Sequence, residues 1–237
     1  MAITPTVLTS GDSTTNVSSL VTASITPTSN VLLLACVFFS DTVTTVTPTC
    51  AGNGLTWDLV VDQNVDAGAS GFRHVAVFRA SGTASAGAVT FTFSEQVSGT
   101  GHAILEFNTD TEAGNNGADA IIQTATAFNT SNVTSLSMTL AAFANATNNA
   151  TVLCGVIGKN SVPSGDGSLI DLESGAHGSQ PMGQVVAWQL GEDLTPSFSW
   201  ASAHKCAGVA IEISATLGGG GADVRNHIIP AYYRVSA

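Results

Sequence analysis

Short apolar runs alternate along this chain with stretches built from Gly, Ser, Thr and Asn. In Val89-Thr90-Phe91-Thr92-Phe93-Ser94 each ring is followed by a hydroxyl, and Ser197-Phe198-Ser199-Trp200 repeats the scheme. A period of two puts one face of a strand in the core and the other in water. His74-Val75-Ala76-Val77-Phe78-Arg79 is apolar on both faces through its middle, as a central strand covered from both sides would be. Gly82-Thr83-Ala84-Ser85-Ala86-Gly87, Gly99-Thr100-Gly101 and Ser164-Gly165-Asp166-Gly167 supply turns. The pattern predicts strands near 16–25, 31–39, 55–61, 72–79, 88–94 and 102–108. A second set follows near 132–140, 150–157, 168–173, 183–190, 196–200 and 207–214.

The two sets resemble each other. Asn16-Val17-Ser18-Ser19-Leu20 returns as Asn132-Val133-Thr134-Ser135-Leu136, and Gly54-Leu55-Thr56-Trp57-Asp58-Leu59 as Gly167-Ser168-Leu169-Ile170-Asp171-Leu172. Likewise His74-Val75-Ala76-Val77-Phe78 answers to Gln184-Val185-Val186-Ala187-Trp188, and Ala103-Ile104-Leu105-Glu106 to Val209-Ala210-Ile211-Glu212. Val31-Leu32-Leu33-Leu34-Ala35-Cys36-Val37 also answers to Ala150-Thr151-Val152-Leu153-Cys154-Gly155-Val156, and an ordered series of similar segments reads as a duplicated unit with shortened loops in the second copy. The expected fold is all-β, a jelly-roll-like sandwich of two sequence-related repeats with pseudo-twofold symmetry, followed by an extended C-terminal tail. Repeat one covers about 16–108 and repeat two about 132–214, within a domain of residues 1–217. The polar connector 108–117 leaves little room for an independent linker, which favours one large sandwich over two successive small ones.

Composition sharpens this picture. Of 237 residues 44% are apolar, enough for a sizeable core, whereas only 10% are charged. The net charge of -11 sets the surface against phosphate backbones and anionic lipid, so neither nucleic acid nor membrane is an expected partner. No stretch approaches the roughly 18 apolar residues of a membrane span, and Met1-Ala2-Ile3-Thr4-Pro5 lacks the basic flank and apolar run of a signal peptide. Cys36 and Cys154 lie inside the most apolar strands and read as small packed hydrophobes. Cys50 and Cys206 are placed nearer loop edges, and no C-x-x-C pair suggests zinc.

Catalytic and ligand-binding patterns fall away one by one. Glu106 and Glu212 hold matching positions and are the carboxylate pair that glycoside hydrolysis would need, but alternation assigns Glu106 to a solvated face and duplication accounts for its twin. Asp62-Gln63-Asn64-Val65-Asp66 begins like a calcium loop, yet Ala67 stands where the turn glycine belongs and Arg73 where the bidentate glutamate belongs. The five histidines show no ligand spacing, and no G-x-S-x-G elbow offers a nucleophile. No enzymatic activity, cofactor or metal is expected. Trp188 and Trp200 read as core, and Trp57 as partly exposed at a strand start.

Beyond Leu217 the character changes. Gly218-Gly219-Gly220-Gly221 is a flexible linker, and residues 222–237 hold both tyrosines and two of the six Lys and Arg residues. A solvated end has no need of Ile228, Ile229, Tyr232 and Tyr233, and Tyr and Arg often dominate interface energy. Arg225, His227, Ile228, Ile229, Pro230, Tyr232, Tyr233 and Arg234 are therefore the expected partner-binding residues of an anchoring tail.

Gly54-Leu55-Thr56-Trp57, the strand Val75-Ala76-Val77-Phe78-Arg79-Ala80, the Val89-Thr90-Phe91-Thr92-Phe93 strand and the weaker second copy together resemble a two-repeat β-sandwich family. Its members occur among tailed-bacteriophage virion proteins and bacterial proteins of unassigned role. The resemblance covers roughly 16–214 and excludes the tail. It implies a structural or binding role and carries over no catalytic residue. The expectation is a virion structural protein, a capsid decoration or tail accessory, held to neighbouring virion subunits and to copies of itself. The alternative is a glycan-binding or adhesion module using loops near Trp57.

Overall fold

The computed structural model describes residues 2–42, 46–108, 114–177 and 181–215. Its strands in chain order are β1 Pro5–Ser13, β2 Val17–Val21, β3 Leu33–Asp41, β4 Pro48–Gly52, β5 Asp58–Asp66, β6 Phe72–Ala80, β7 Val89–Val97 and β8 Gly99–Phe107. The second half adds β9 Ile121–Ser137, β10 Ala150–Ile157, β11 Ser164–Gly165, β12 Ile170–His177, β13 Met182–Leu190 and β14 Ser197–Ile213. Two single turns of 3-10 helix, Gly68–Ser70 and Ala118–Ala120, are the only helical residues among those described. No helix there is long and apolar enough to cross a membrane. The protein is all-β, as the pattern predicts.

Every strand pairing is antiparallel, and the sheets pack as sandwich layers. One large sheet has the order β1-β8-β3-β6-β5. The other runs β9-β14-β10-β13-β12, with β11 on the first part of β14, and a small sheet has the order β2-β7-β4. The two large sheets are wound alike: an opening edge strand, then the last strand of that half, then three more in matching sequence. Their registers agree too. Leu33 faces Glu106 where Thr151 faces Glu212, and Cys36 faces Ala103 where Cys154 faces Val209.

Three apolar layers hold these sheets. The central layer joins the large sheets through Leu34, Cys36, Phe38, Val77 and Leu105 on one side and Val152, Cys154, Val186, Val209 and Ile211 on the other. At its middle the Cys154 thiol donates to Cys36 Sγ at 3.4 Å. That contact and burial hold the Cys154 thiol well above its ordinary range, and all four cysteines are free. A second layer fills the space under the small sheet with Phe39, Phe78, Phe91 and Phe93. The third, with Leu153, Val185, Phe198 and Trp200, lies on the outer face of the other large sheet. Burying each Phe or Leu contributes about 1.5–3 kcal/mol, and β3 and β10, buried at every position, lie at the centre of the stack.

Two close approaches shape the core, one between the large sheets and one where the start of β14 folds over β10 of its own sheet. A side chain at Gly101 would collide with the Gln184 amide from the opposite sheet, and one at Gly155 would strike the Phe198 ring at 2.6 Å. Glycine lets backbone and side chain meet where any Cβ would intrude.

The structure also departs from the expected strand list. β1 precedes the first predicted strand, and β4 has no counterpart in the predicted set; both begin with proline, which strands tolerate at their start and on edges. β9 begins eleven residues before the predicted 132. The predicted strands 196–200 and 207–214 are one strand, β14, whose pairing with β9 shifts register at Ser199/His204 and His204/Cys206. Such irregularities bend a strand so that it serves two layers.

Candidate functional site

The expected partner-binding residues Arg225, His227, Ile228, Ile229, Pro230, Tyr232, Tyr233 and Arg234 lie outside the described residues. Within the body, the structure settles the fate of several other candidates.

Glu106 and Glu212 do not converge. Their neighbours Leu105 and Ile211 face the central layer, while Ile104 and Ala210 face the two outer layers. Alternation along β8 and β14 therefore turns the two carboxylates to opposite outer sides of the paired sheets. Glu106 accepts from Thr28 N at 2.5 Å and Thr28 Oγ1 at 3.0 Å, tying the β2–β3 connection to β8. Glu212 is fully buried, against the expectation of a solvated carboxylate. It accepts from Asn149 Nδ2 at 2.5 Å and Gln123 Nε2 at 2.6 Å, and Gln123 in turn bridges Ala141. Both glutamates act as structural acceptors for nearby loops and strands.

The aromatic candidates are likewise absorbed. Trp57, expected to be partly exposed, is 8% exposed and donates its indole N–H to Gly52 O at 3.2 Å. Trp200 is buried and Trp188 packs half-buried against the central layer. Asp62 to Asp66 form part of β5. Cys50 and Cys206 sit within β4 and β14, and burial raises both thiols, Cys206 to about 12. Among the described residues no group of three or more His, Cys, Asp or Glu could hold a metal ion.

A shallow depression of about 500 Å³ opens beside Trp57, lined by Leu55, Thr56, Ser81, Thr83 and Asn116 with Gly54 and Gly82. Its loops are cross-tied. Asn116, held at φ 55°, donates to Thr56 O and Asp58 Oδ2 at 3.0 Å and accepts from Ser81 N at 3.0 Å. Asp58 also pairs with Arg79 at 3.3 Å. Asn53, at φ 57°, donates to Ser85 O and Gly87 O. Asparagine tolerates the left-handed region that these tight turns require. The rim offers hydroxyl and amide groups to a small polar ligand and no aromatic ring to stack on it.

A third feature has no counterpart in any linear pattern of the chain. Arg73, fully buried on β6, reaches the second half of the molecule and donates to Pro181 O through Nε at 3.1 Å and Nη2 at 3.0 Å. Burial lowers its pKa to about 10. Lys159, Lys205 and His204 gather near it, and the His204 imidazole is depressed by burial and then by Lys159, Arg73 and Lys205. Lys205 Nζ lies against Gly68, in the turn before β6. Bulges in β14 and the β10–β11 turn create this cationic corner, and strand periodicity carries no signal for either.

Compared with protein-family models, with curated proteins and with solved structures, the chain matches none.

Proposed function

We propose that this is a bacteriophage virion structural protein, a capsid decoration or tail accessory, whose sandwich body is attached to neighbouring subunits by residues 222–237. The observation that carries the reading is the break in composition at Gly218–Gly221: an acidic, hydroxyl-rich body gives way to a segment with both tyrosines, Ile228, Ile229, Arg225 and Arg234. Many such anchors acting on one particle would make individually weak contacts effectively permanent. The body supports the reading by what it presents. It is all-β, acidic and sparsely charged, a surface suited to dense packing without aggregation. The common winding of its two large sheets supports their origin as copies of one unit, in a jelly-roll-like duplication.

A glycan-binding role is the second reading, and the hydroxyl-lined depression beside Trp57 favours it. Burial of Trp57 weakens it, because sugar rings are commonly held on exposed aromatic faces.

The test is a cryo-EM map of the native particle, together with incorporation of a chain lacking residues 218–237. Density for Tyr232 and Tyr233 inside another subunit, with loss of incorporation and an unchanged melting temperature on deletion, is the expected result. A tail packed on its own sandwich, with a large loss of stability on deletion, would remove the anchoring role.

A further inference from the structure

Edge strands leave one row of backbone N–H and C=O groups without a ladder, and proteins blunt them with charge, proline, bulges or brevity. Five of the edges described here follow that rule. β1 begins with Pro5, carries Asp12 and is bulged. β5 holds Asp58, Asp62 and Asp66 and is bulged, and β12 holds Asp171 and Glu173 and is bulged. β2 and β4 are five residues each.

β9 departs from it. It is 17 residues long, pairs with β14 alone among the described strands and contains neither a charged residue nor a proline. From Gln123 to Asn129 its register is unbroken. Along this stretch one face, Thr124, Thr126 and Phe128, is exposed at every position, Phe128 at 58%, and the bulged Ile122 before it is 48% exposed.

We propose that β9 is a self-association edge, pairing antiparallel with β9 of a second copy about a twofold axis at Ala125. The choice of partner comes from the strand's own sequence. About Ala125, Thr124 of one copy meets Thr126 of the other, and Phe128 of one lies opposite the bulged residue Ile122 of the other, so hydroxyl faces hydroxyl and apolar faces apolar. Net charge points the same way. In a chain of net charge -11, self-pairing through β5 or β12 would set carboxylates directly within the new ladder, whereas β9 itself carries none. The contact is isologous and closes at two copies, joining two of the β9-β14-β10-β13-β12 sheets into one. It requires no contribution from residues 218–237 and stands or falls separately from their anchoring role.

Sedimentation equilibrium of the full chain at micromolar concentration tests it. The expected species is a dimer. Thr124→Lys with Thr126→Lys sets ammonium against ammonium at both central pairs and is expected to weaken the dimer about tenfold or more. Both positions are exposed, so the melting temperature of the monomer should be unchanged. Thr124→Glu with Thr126→Lys sets opposite charges at the same pairs and is expected to restore the dimer, an outcome specific to a register centred on Ala125. A monomeric wild-type chain would overturn the proposal, as would a dimer indifferent to the two lysines. A dimer that survives them but is lost on removing 218–237 would assign association to the tail and overturn it equally.

Discussion

Two glutamates at matching positions in the two large sheets carry different energetic weight because their surroundings differ. Glu212 is fully buried, with Asn149 and Gln123 donating to it, whereas Glu106 is half-buried at the rim and holds Thr28. Removing a buried acceptor strands its donors without water, so Glu212→Ala should cost about 3 kcal/mol and Glu106→Ala about 1 kcal/mol in urea unfolding. Equal losses would refute this difference. A second residue sets the response to acid. His102 is buried, and neither ring nitrogen has a hydrogen-bond partner among the described residues. Burial holds its imidazole below the ordinary range, with Asp12 opposing. The unfolded ring binds a proton near about pH 6.5, while the folded ring stays neutral to lower pH. The unfolded state therefore takes up more protons, and stability falls as pH drops below that value until the folded ring also protonates. His204, depressed in the same direction, adds to the effect. His102→Leu should raise stability at neutral pH by about 1 kcal/mol, because it deletes an unpartnered buried polar group, and should flatten the acid limb of the melting-temperature profile. A steeper acid limb in the variant would show that the ring is satisfied in the folded state.

At the scale of elements, periodicity was a good guide where a strand has one wet face or none. The alternation of Val89, Phe91 and Phe93 located β7, and the unbroken apolar runs located β3 and β10 as central strands. It failed where pairing rather than side-chain chemistry defines the element. β1 is Pro-Thr-Val-Leu-Thr-Ser-Gly-Asp-Ser, an edge strand with little buried surface, so its pattern is barely distinguishable from a loop. The first half of β9 is a Thr- and Ala-rich ladder whose exposed Ile122 and Phe128 break the expected inward placement. The pattern divides β14 in two at Ala201-Ser202-Ala203, small residues that the structure leaves exposed while the backbone continues through them. The features at the sites were less legible still. The Arg73 corner depends on bulges and a cross-half contact, and the Trp57 depression on left-handed asparagines in separate loops. Nothing in a linear pattern joins such distant segments. The tail's composition, by contrast, is visible only in the sequence.

The whole molecule is a stack in which the middle layer belongs to both halves. Each half has an outer layer of its own, but the central layer draws Leu34, Cys36, Phe38 and Leu105 from the first and Val152, Cys154, Val209 and Ile211 from the second. Separating the halves would expose that entire apolar face, along with the buried Arg73 and Gln184 side chains. Neither outer layer offers a comparable surface to compensate. Polar linkers let domains unfold separately when their interface is small and wet; this one is apolar and close-packed down to the 3.4 Å contact between Cys36 and Cys154. Unfolding of the body is therefore expected to be a single transition, with calorimetric and van't Hoff enthalpies equal. Substitutions at Cys36 and Cys154 should be non-additive because the two side chains touch. Scanning calorimetry of the chain and of Cys36→Ser with Cys154→Ser decides the point. A single transition displaced to lower temperature in the variant bears out a shared core, because two unpartnered hydroxyls at its centre weaken both halves at once. Two resolved transitions in the unsubstituted chain would show that each half folds on its outer layer alone and that the central layer contributes little to either.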